Sequence, residues 1–154
     1  MERFIDANGL IVELVFEKHF FDQESNHVLI ICRYQNKWLL TQHKKRGLEF
    51  PGGKRETGES LEEAAIRETY EETGGVIKEP VFVGEYKVYD GQPFVKTIFF
   101  AEVEELVLKP DYLETDGCKL WEGEPADMQT HPEFSFIMKD KVVELAFKQL
   151  NFMT

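Results

Sequence analysis

The sequence has few cysteines and no long hydrophobic run. Its two cysteines, Cys32 and Cys118, show no metal-type spacing, and Cys32 lies in an apolar stretch typical of a buried strand. The longest apolar run, residues 28–32, is far too short to cross a bilayer. No basic start followed by an apolar block marks the amino terminus as a secretory signal. We therefore expect a cytoplasmic protein with reduced thiols and no membrane partner.

Basic residues are also few: the sequence has 18 lysines and arginines but 29 acidic residues, which gives a net charge of −11. An extended groove for nucleic acid needs a basic surface, so no such groove is expected. Direct binding of a polyphosphate is disfavoured for the same reason, unless a divalent cation accompanies it. The hydrophobic content of 42% is typical of a globular protein. The chain of 154 residues has no repeat or linker, which predicts one domain over residues 1–154.

Several stretches rich in apolar and β-branched residues are predicted to be strands. They are residues 9–16, 27–34, 37–43, 80–90, 94–105 and 118–123. Gln35 and Asn36 predict a tight hairpin turn between the second and third of these, and residues 90–93 predict another turn. Residues 44–59 contain Pro51 and several glycines, and we interpret them as a loop.

Two helices are predicted. Residues 60–73 begin with a capping-box pattern, Ser60 and Glu63, and are followed by the stop signals Gly74 and Gly75. Residues 139–150 carry apolar residues at helical spacing, which indicates an amphipathic closing helix. This order of elements predicts an α/β (α+β) fold with helices on the faces of a mixed sheet.

The first helix has a divided face. At about 100° per residue, an apolar start is followed on the same side by three glutamates. These residues are Leu61, Ala64 and Ala65, then Glu68, Glu71 and Glu72. Ile66 and Tyr70 fall on the opposite side, which predicts a second apolar contact and a helix clamped between layers. The glutamate end would then line a cleft.

Negative charge is concentrated around this helix. Residues 49–75 hold eight glutamates against three basic residues, and only Arg67 is basic within the helix itself. A solvated charged face is the commonest reason for such a run. Like charges three or four residues apart destabilise a helix, however, whereas converging carboxylates suit a hard cation. The pattern alone leaves both interpretations open.

The spacing G-x5-E-x7-R-E-x2-E-E-x-G, from Gly53 to Gly74, resembles the Nudix box, the signature of the Nudix hydrolases. Every charged and glycine position of that signature is filled. Two packing positions depart from it, since Thr69 follows Glu68 and Gly75 stands where an aliphatic residue is usual. The flanking residues 48–54 resemble the MutT-type branch, and the wider chain resembles the YtkD-like nucleoside triphosphatases.

The resemblance implies the Nudix fold, with a mixed β-sheet sandwiched between helices. It also implies hydrolysis that depends on Mg²⁺, with Mn²⁺ as a substitute. The implied metal ligands and catalytic groups are the carboxylates of Glu68, Glu71 and Glu72, together with the carbonyl of Gly52 as a further ligand. Glycines at 52 and 53 would permit the unusual dihedral angles that aim this carbonyl. Glu68 is favoured over Glu71 as the base, although the two could share this role.

Other residues receive supporting roles from the same resemblance. Arg67 is expected to brace the loop through Glu59, with Gly53 and Gly74 as structural supports of the site. Lys54 could reach a phosphate or remain exposed, and Phe50 could pack against a purine or lie in the core. Glu114 and Asp116, in a late loop, are either further site acids or solvated. Residues 134–140 either line the nucleotide pocket or dock the last helix.

The expected reaction converts a nucleoside triphosphate to a monophosphate and pyrophosphate, with 8-oxo-dGTP and related nucleotides as substrates. A variant of this hypothesis removes pyrophosphate from the 5′ end of triphosphorylated RNA. A hypothesis of another class is a Nudix module that senses a nucleotide without cleaving it. The partner is then a small nucleotide or an RNA 5′ end, and the protein a monomer or a small homodimer.

Overall fold

The computed structural model describes residues 1–153, which form ten strands and two α-helices. The strands are β1 (Glu2–Ile5), β2 (Ile11–Val15), β3 (Ser25–Tyr34), β4 (Lys37–His43), β5 (Gly47–Glu49), β6 (Gly52–Lys54), β7 (Gly75–Ile77), β8 (Val81–Tyr89), β9 (Phe94–Leu106) and β10 (Thr115–Trp121). The helices are α1 (Leu61–Thr73) and α2 (Lys141–Gln149), and two 3₁₀ turns, Pro125–Gln129 and Phe136–Lys139, precede α2.

All six predicted strands and both helices are present, but four strands were not predicted. These are β1, β5, β6 and β7. The interpretation of residues 44–59 as a loop is wrong at Gly47–Glu49 and Gly52–Lys54, because β5 pairs with β4 and β6 pairs with β3. Each of these two strands has only three residues, and β6 has the sequence Gly-Gly-Lys. So short a segment shows no alternation of apolar and polar residues, and its pairing depends on partners elsewhere in the chain.

The strands join in one mixed sheet. Its main order is β1-β2-β8-β9-β3-β4-β10, with the three short strands β5, β6 and β7 added at β4, β3 and β9. The central pair, β3 and β9, is parallel, and the other named pairs are antiparallel. Gln35 and Asn36 both have positive φ, 49° and 66°, as a tight turn between β3 and β4 requires. This topology places β6 beside the start of β3.

The two α-helices lie on opposite faces of the sheet. Neighbouring residues of a strand point to opposite faces. On β4, the ring of Trp38 lies 5.1 Å from that of Phe147 in α2. The next residue, Leu39, lies on the α1 side, where a Cβ on Gly75 would meet both its side chain and Thr69 of α1. The mixed sheet between helices is therefore confirmed.

Helix α1 begins and ends as its sequence predicts. The hydroxyl of Ser60 accepts a hydrogen bond from the N–H of Glu63, and the Glu63 carboxylate accepts one from the N–H of Ser60. Gly74 ends the helix with φ of 78°, and a Cβ at this position would overlap the carbonyl of Val107. Thr69 and Thr73 are buried against the sheet, and each hydroxyl donates to the carbonyl four residues earlier.

The predicted second apolar contact of α1 is wrong. Ile66 and Tyr70 are 42% and 39% exposed, so within residues 1–153 no layer covers that side of the helix. The buried positions are instead Ala64, Ala65, Thr69 and Thr73. Helix α1 is packed on one face only, and its glutamates are placed by that face and by the surrounding loops.

The opposite face of the sheet carries the aromatic core. Trp38, Phe50 and Phe147 form a cluster with ring centroids 5.1 to 6.0 Å apart. Helix α2 presents Val142, Val143, Ala146 and Phe147 to this core, as its spacing predicts. None of the helices among residues 1–153 is both long and apolar enough to cross a membrane.

Candidate active site

Glu68, Glu71 and Glu72 of α1 line a cavity of about 420 Å³, and Glu68 and Glu72 also contact β6. Five of its seven lining residues are acidic, and Arg67 is the basic one. The lining residues are Glu56, Arg67, Glu68, Glu71, Glu72, Leu113 and Glu114. The segments before and after α1 in the chain, together with the helix itself, therefore bring carboxylates to one place.

Gly53 makes room for one of these carboxylates. A Cβ built on Gly53 would lie 2.6 Å from the carboxyl carbon of Glu68, so any side chain at 53 would displace Glu68. A Cβ on Gly52 would overlap the carbonyl of Val28 on β3. Neither glycine is among the residues with positive φ, so the expectation of unusual dihedral angles is wrong. The two glycines are needed for close approach.

Arg67 holds several acidic groups at once. Its guanidinium contacts both carboxylate oxygens of Glu59, at 2.7 and 2.9 Å, the geometry of a bidentate pair. It also donates to Glu68 at 2.7 Å, to Glu71 at 3.2 Å and to the carbonyl of Lys54 at 2.9 Å. The hydrogen bond with Glu59 lowers the pKa of that carboxyl. Arg67 therefore connects the loop, β6 and the glutamates of α1, beyond the single partner expected from the sequence.

Glu72 is the most strongly perturbed acid of the cavity. Its Oε1 accepts a hydrogen bond of 2.9 Å from the N–H of Gly52. Burial and the neighbouring carboxylates of Glu68, Glu49 and Glu114 nevertheless raise the pKa of Glu72 to about 8. Burial also raises the pKa of Glu68, against the opposing effect of Arg67. The protein alone therefore favours a partly protonated cluster, and a bound cation would reverse this preference.

Residues far from α1 in the chain hold its carboxyl-terminal end. The helix has no basic residue in its last turn. Lys109 supplies the missing charge, because its ammonium donates to the carbonyls of Tyr70 and Glu71 at 3.1 and 3.0 Å. The ammonium also lies 4.7 Å from the ring centroid of Tyr70 and 5.5 Å from that of Tyr112.

The carbonyl of Glu72 is held in a similar way. It accepts hydrogen bonds from the hydroxyls of Thr41 on β4, at 3.1 Å, and Thr115 on β10, at 3.3 Å. Together with Lys109, these contacts fix the backbone from which Glu71 and Glu72 project. The position of the carboxylates therefore depends on β4, β10 and the segment between β9 and β10.

The donor set fits a hard divalent cation. Carboxylate oxygens are the preferred ligands of such ions, and the cluster carries an excess of negative charge. Within residues 1–153, no three acidic, histidine or cysteine side chains are already grouped closely enough to hold one ion. The reason is visible in the contacts, since Arg67 and the N–H of Gly52 hold the carboxylates instead. A cation would compete with Arg67 and with the N–H of Gly52 for these oxygens.

Comparison with known proteins identifies the chain. The NUDIX domain model matches residues 20–135, which is most of its length. The chain belongs to the Nudix family. It is a hydrolase of phosphoric anhydride bonds, a class of enzyme that generally requires divalent metal ions.

Two relatives match the Nudix chain over nearly its whole length. It is 44% identical over 151 residues to YtkD of Bacillus subtilis (strain 168), provisionally named an 8-oxo-dGTP diphosphatase, covering 97% of this chain and 96% of the relative. The crystal structure of the Bacillus subtilis pyrophosphohydrolase BsRppH, in an E68A variant, matches with a TM-score of 0.92 and 43% identity over 98% of this chain and 96% of that one.

A third relative is more distant. The ADP-ribose pyrophosphatase of Methanocaldococcus jannaschii is 32% identical over 125 residues, covering 77% of this chain and 67% of the relative. Two of these names contain a substrate, and the substrates differ: 8-oxo-dGTP in one and ADP-ribose in the other. Family membership therefore establishes the bond class, and the substrate depends on residues outside the Nudix box.

The four residues predicted to bind the substrate differ in their burial and in their position relative to the glutamate cavity. Phe50 is only 3% exposed and packs against both Trp38 and Phe147, so it belongs to the core and is not available to a purine. Lys54 is exposed on β6. Glu114 lines the glutamate cavity, whereas the exposed Asp116 is not among its lining residues.

Residues 134–140 contribute side chains to the core and a cap to α2. Phe134 and Met138 are buried, and the hydroxyl of Ser135 donates to Glu49 at 2.8 Å. Asp140 accepts a hydrogen bond from the N–H of Val142 and so caps α2. Docking of the last helix, one of the two alternatives from the sequence, is thus present.

Proposed function

We propose that the protein is a Mg²⁺-dependent nucleoside triphosphate pyrophosphohydrolase acting on 8-oxo-dGTP and related (d)NTPs. Water attacks the β-phosphorus, the bond to the α-phosphate oxygen breaks, and the products are a nucleoside monophosphate and pyrophosphate. The observation that carries this proposal is the carboxylate-lined cavity, in which burial and neighbouring acids raise the pKa of Glu72 to about 8. Such a cluster is unfavourable until positive charge enters it.

The residues of the box have separate roles in this proposal. Bound divalent ions supply charge neutralisation at the phosphates and acidify the attacking water. Glu68, Glu71 and Glu72 hold those ions, with the Gly52 carbonyl as a further ligand. Glu68 accepts the proton of the water, since its carboxylate lies against Gly53 and is oriented by Arg67. Arg67, Glu59, Gly53 and Gly74 maintain this geometry.

The nucleotide assignment rests on the relative of 44% identity that is provisionally named an 8-oxo-dGTP diphosphatase. Triphosphorylated RNA is the second candidate substrate, because the same phosphoric anhydride is cleaved there. The structural match to a pyrophosphohydrolase, with a TM-score of 0.92, supports this second candidate substrate. The complete set of box glutamates favours either enzyme over a module that only senses nucleotides. The cytoplasmic location, the single domain and the monomer or small homodimer stay predictions.

The test is an assay of purified protein with 8-oxo-dGTP, dGTP and a 5′-triphosphorylated RNA. Each substrate is incubated with Mg²⁺, Mn²⁺ or EDTA, and products are resolved by ion exchange. We expect metal-dependent monophosphate and pyrophosphate from the nucleotides, with 8-oxo-dGTP preferred. Glu68→Gln should lose activity, while Glu62→Gln, an exposed glutamate of the same helix, should retain it. Turnover of RNA alone would replace the nucleotide assignment, and turnover of no substrate would contradict the proposal.

A further inference from the structure

A small cluster of basic side chains lies near the glutamate cavity. We define the Lys96 cluster as His27 on β3, Lys54 on β6 and Lys96 on β9. His27 pairs directly with Lys54 on one side and with Lys96 on the other, so the three residues form a line across three strands. Directly paired residues point to the same face of a sheet. In a chain of net charge −11, such a line of basic groups is unexpected.

Aromatic rings surround the cluster. The ring of His27 lies 5.0 Å from that of Phe94, and the Lys96 ammonium lies 6.0 Å from the ring centroids of both Phe94 and Tyr86. Within the part of the chain that the structure describes, neither Lys54 nor Lys96 forms an ion pair. In the same range, the buried Nδ1 of His27 has no hydrogen-bond partner.

This arrangement is electrostatically unfavourable by itself. Burial and the charges of Lys96 and Lys54 lower the pKa of His27 to about 4. Burial also lowers the pKa of the half-buried Lys96. The two acids whose charges act on Lys96 have other partners, because Glu49 is bound by Arg46 at 2.7 Å and by Ser135, and Asp140 caps α2. Their charges act against the lowering of the Lys96 pKa, but within residues 1–153 neither acid forms an ion pair with the cluster.

The Lys96 cluster and the glutamates lie on opposite sides of the same short strand. Gly53 faces Glu68, as the overlap with a Cβ shows. Lys54 is the next residue of β6, so its side chain points to the other face, with those of His27 and Lys96. A substrate that crosses the edge of the sheet at β6 would meet acidic groups on one side and basic groups on the other.

We propose that the Lys96 cluster is a subsite for a phosphoryl group of the substrate that the metal ions do not contact. A lysine ammonium is a compact donor suited to a phosphate oxygen, and the half-buried position of Lys96 strengthens that interaction. The phosphoryl group is either the one attached to the first nucleoside or the diester that links a second nucleotide. This inference rests on the proposed function for the nucleotide nature of the substrate.

The first test measures binding without metal, so that it does not depend on hydrolysis. A 5′-monophosphorylated dinucleotide is titrated into the protein in EDTA and the heat of binding is recorded. We expect the wild type to bind and Lys96→Met to bind about tenfold to a hundredfold more weakly, as loss of a charged hydrogen bond implies. Lys96→Arg should retain most of the affinity. Lys119→Met, which removes an exposed lysine of β10, is the matched control.

Folding of the variant is checked by thermal unfolding. Methionine has a similar length and is apolar, so it suits the space beside Tyr86 and Phe94. We expect Lys96→Met to be at least as stable as the wild type, because a half-buried charge is removed. Weaker binding together with equal or higher stability would separate a binding role from a structural one.

The second test locates the phosphoryl group and compares KM values in Mg²⁺. If Lys96→Met raises KM for a nucleoside triphosphate and for a triphosphorylated dinucleotide alike, the group belongs to the first nucleotide. If KM rises for the dinucleotide only, the group is the linking diester. Equal binding in EDTA by wild type and Lys96→Met, or no binding by either, would overturn the proposal. Metal-free binding without turnover would instead contradict the proposed function and leave the subsite in place.

Discussion

The two ends of helix α1 are stabilised in different ways. At its amino-terminal end, Ser60 and Glu63 satisfy each other's backbone groups within four residues of sequence. At its carboxyl-terminal end, Lys109, Thr41 and Thr115 donate to the carbonyls of Tyr70, Glu71 and Glu72 from 31 to 43 residues away. The end that carries the glutamates is thus the end that the rest of the fold controls. Substitutions at the amino-terminal end should therefore lower mainly the stability of the protein, and substitutions at the carboxyl-terminal end should lower mainly its activity.

The largest effect is expected from a change at the carboxyl-terminal end itself. Glu72→Gln removes a proposed ligand and should lower metal-dependent turnover by at least about a hundredfold. Its stability in EDTA at pH 8 should not fall, since a carboxyl with a raised pKa is replaced by a neutral group. Steady-state rates and thermal unfolding check the two outcomes. Full activity in this variant would remove Glu72 from the ligand set.

Lys109→Met should have the next largest effect. The carbonyls of Tyr70 and Glu71 lose their donor, so the glutamates are held less firmly. We expect the half-saturating Mg²⁺ concentration to rise about tenfold, as for other residues that orient metal ligands. Mn²⁺ binding followed by electron paramagnetic resonance should weaken in parallel.

The controls for this variant are Lys109→Arg, which keeps the charge and should recover part of the affinity, and Lys119→Met, which should have no effect. A fall in melting temperature with unchanged metal affinity would show that Lys109 stabilises the helix without positioning its carboxylates.

At the amino-terminal end, Ser60→Ala should lower the free energy of unfolding by about 1 kcal/mol, the usual contribution of such a cap. Turnover and the half-saturating Mg²⁺ concentration should stay unchanged, because the glutamates lie in the other half of the helix. Urea denaturation measures the first quantity. Ser60→Thr, which keeps the hydroxyl, should be close to wild type. Loss of activity in Ser60→Ala would contradict the separation between the two ends.

The smallest effect is a pH dependence of stability in EDTA. The pKa of Glu72 is near 4.5 ordinarily and about 8 in the folded protein, so the folded state holds more protons between these values. Raising the pH from 5 to 8 should therefore lower the melting temperature by a few degrees, with solvent screening limiting the change. Mg²⁺ should restore it. Glu72→Gln should reduce this slope, whereas Ser60→Ala should leave it intact.

Local sequence predicted much of the candidate site. The caps of α1, the spacing of Glu68, Glu71 and Glu72, and the Gln35-Asn36 turn depend on neighbouring residues, which is why they could be predicted. The resemblance to the Nudix box supplied the chemistry of those glutamates. The pairing of Arg67 with Glu59, eight residues earlier, also followed from that resemblance.

The features that were predicted wrongly depend on contacts with distant parts of the chain. The short strands β5 and β6 have too few residues for a pattern and exist through pairing with β4 and β3. Phe50 is a core residue because it packs against Trp38 and Phe147, and Tyr70 is 39% exposed because no layer formed by residues 1–153 covers it. The local sequence does not show which distant residue a given side chain will contact in the folded protein.

The sequence by itself therefore determined six of the strands, the two α-helices, the caps of α1 and the list of carboxylates available to a metal. Only the tertiary structure decided how those carboxylates are held, through Lys109, Thr41 and Thr115, and that basic groups gather on the other side of β6. The physical reason is the range of each interaction. Caps and helical spacing act over three or four residues, whereas burial, raised pKa values and charge clusters arise when distant segments pack together.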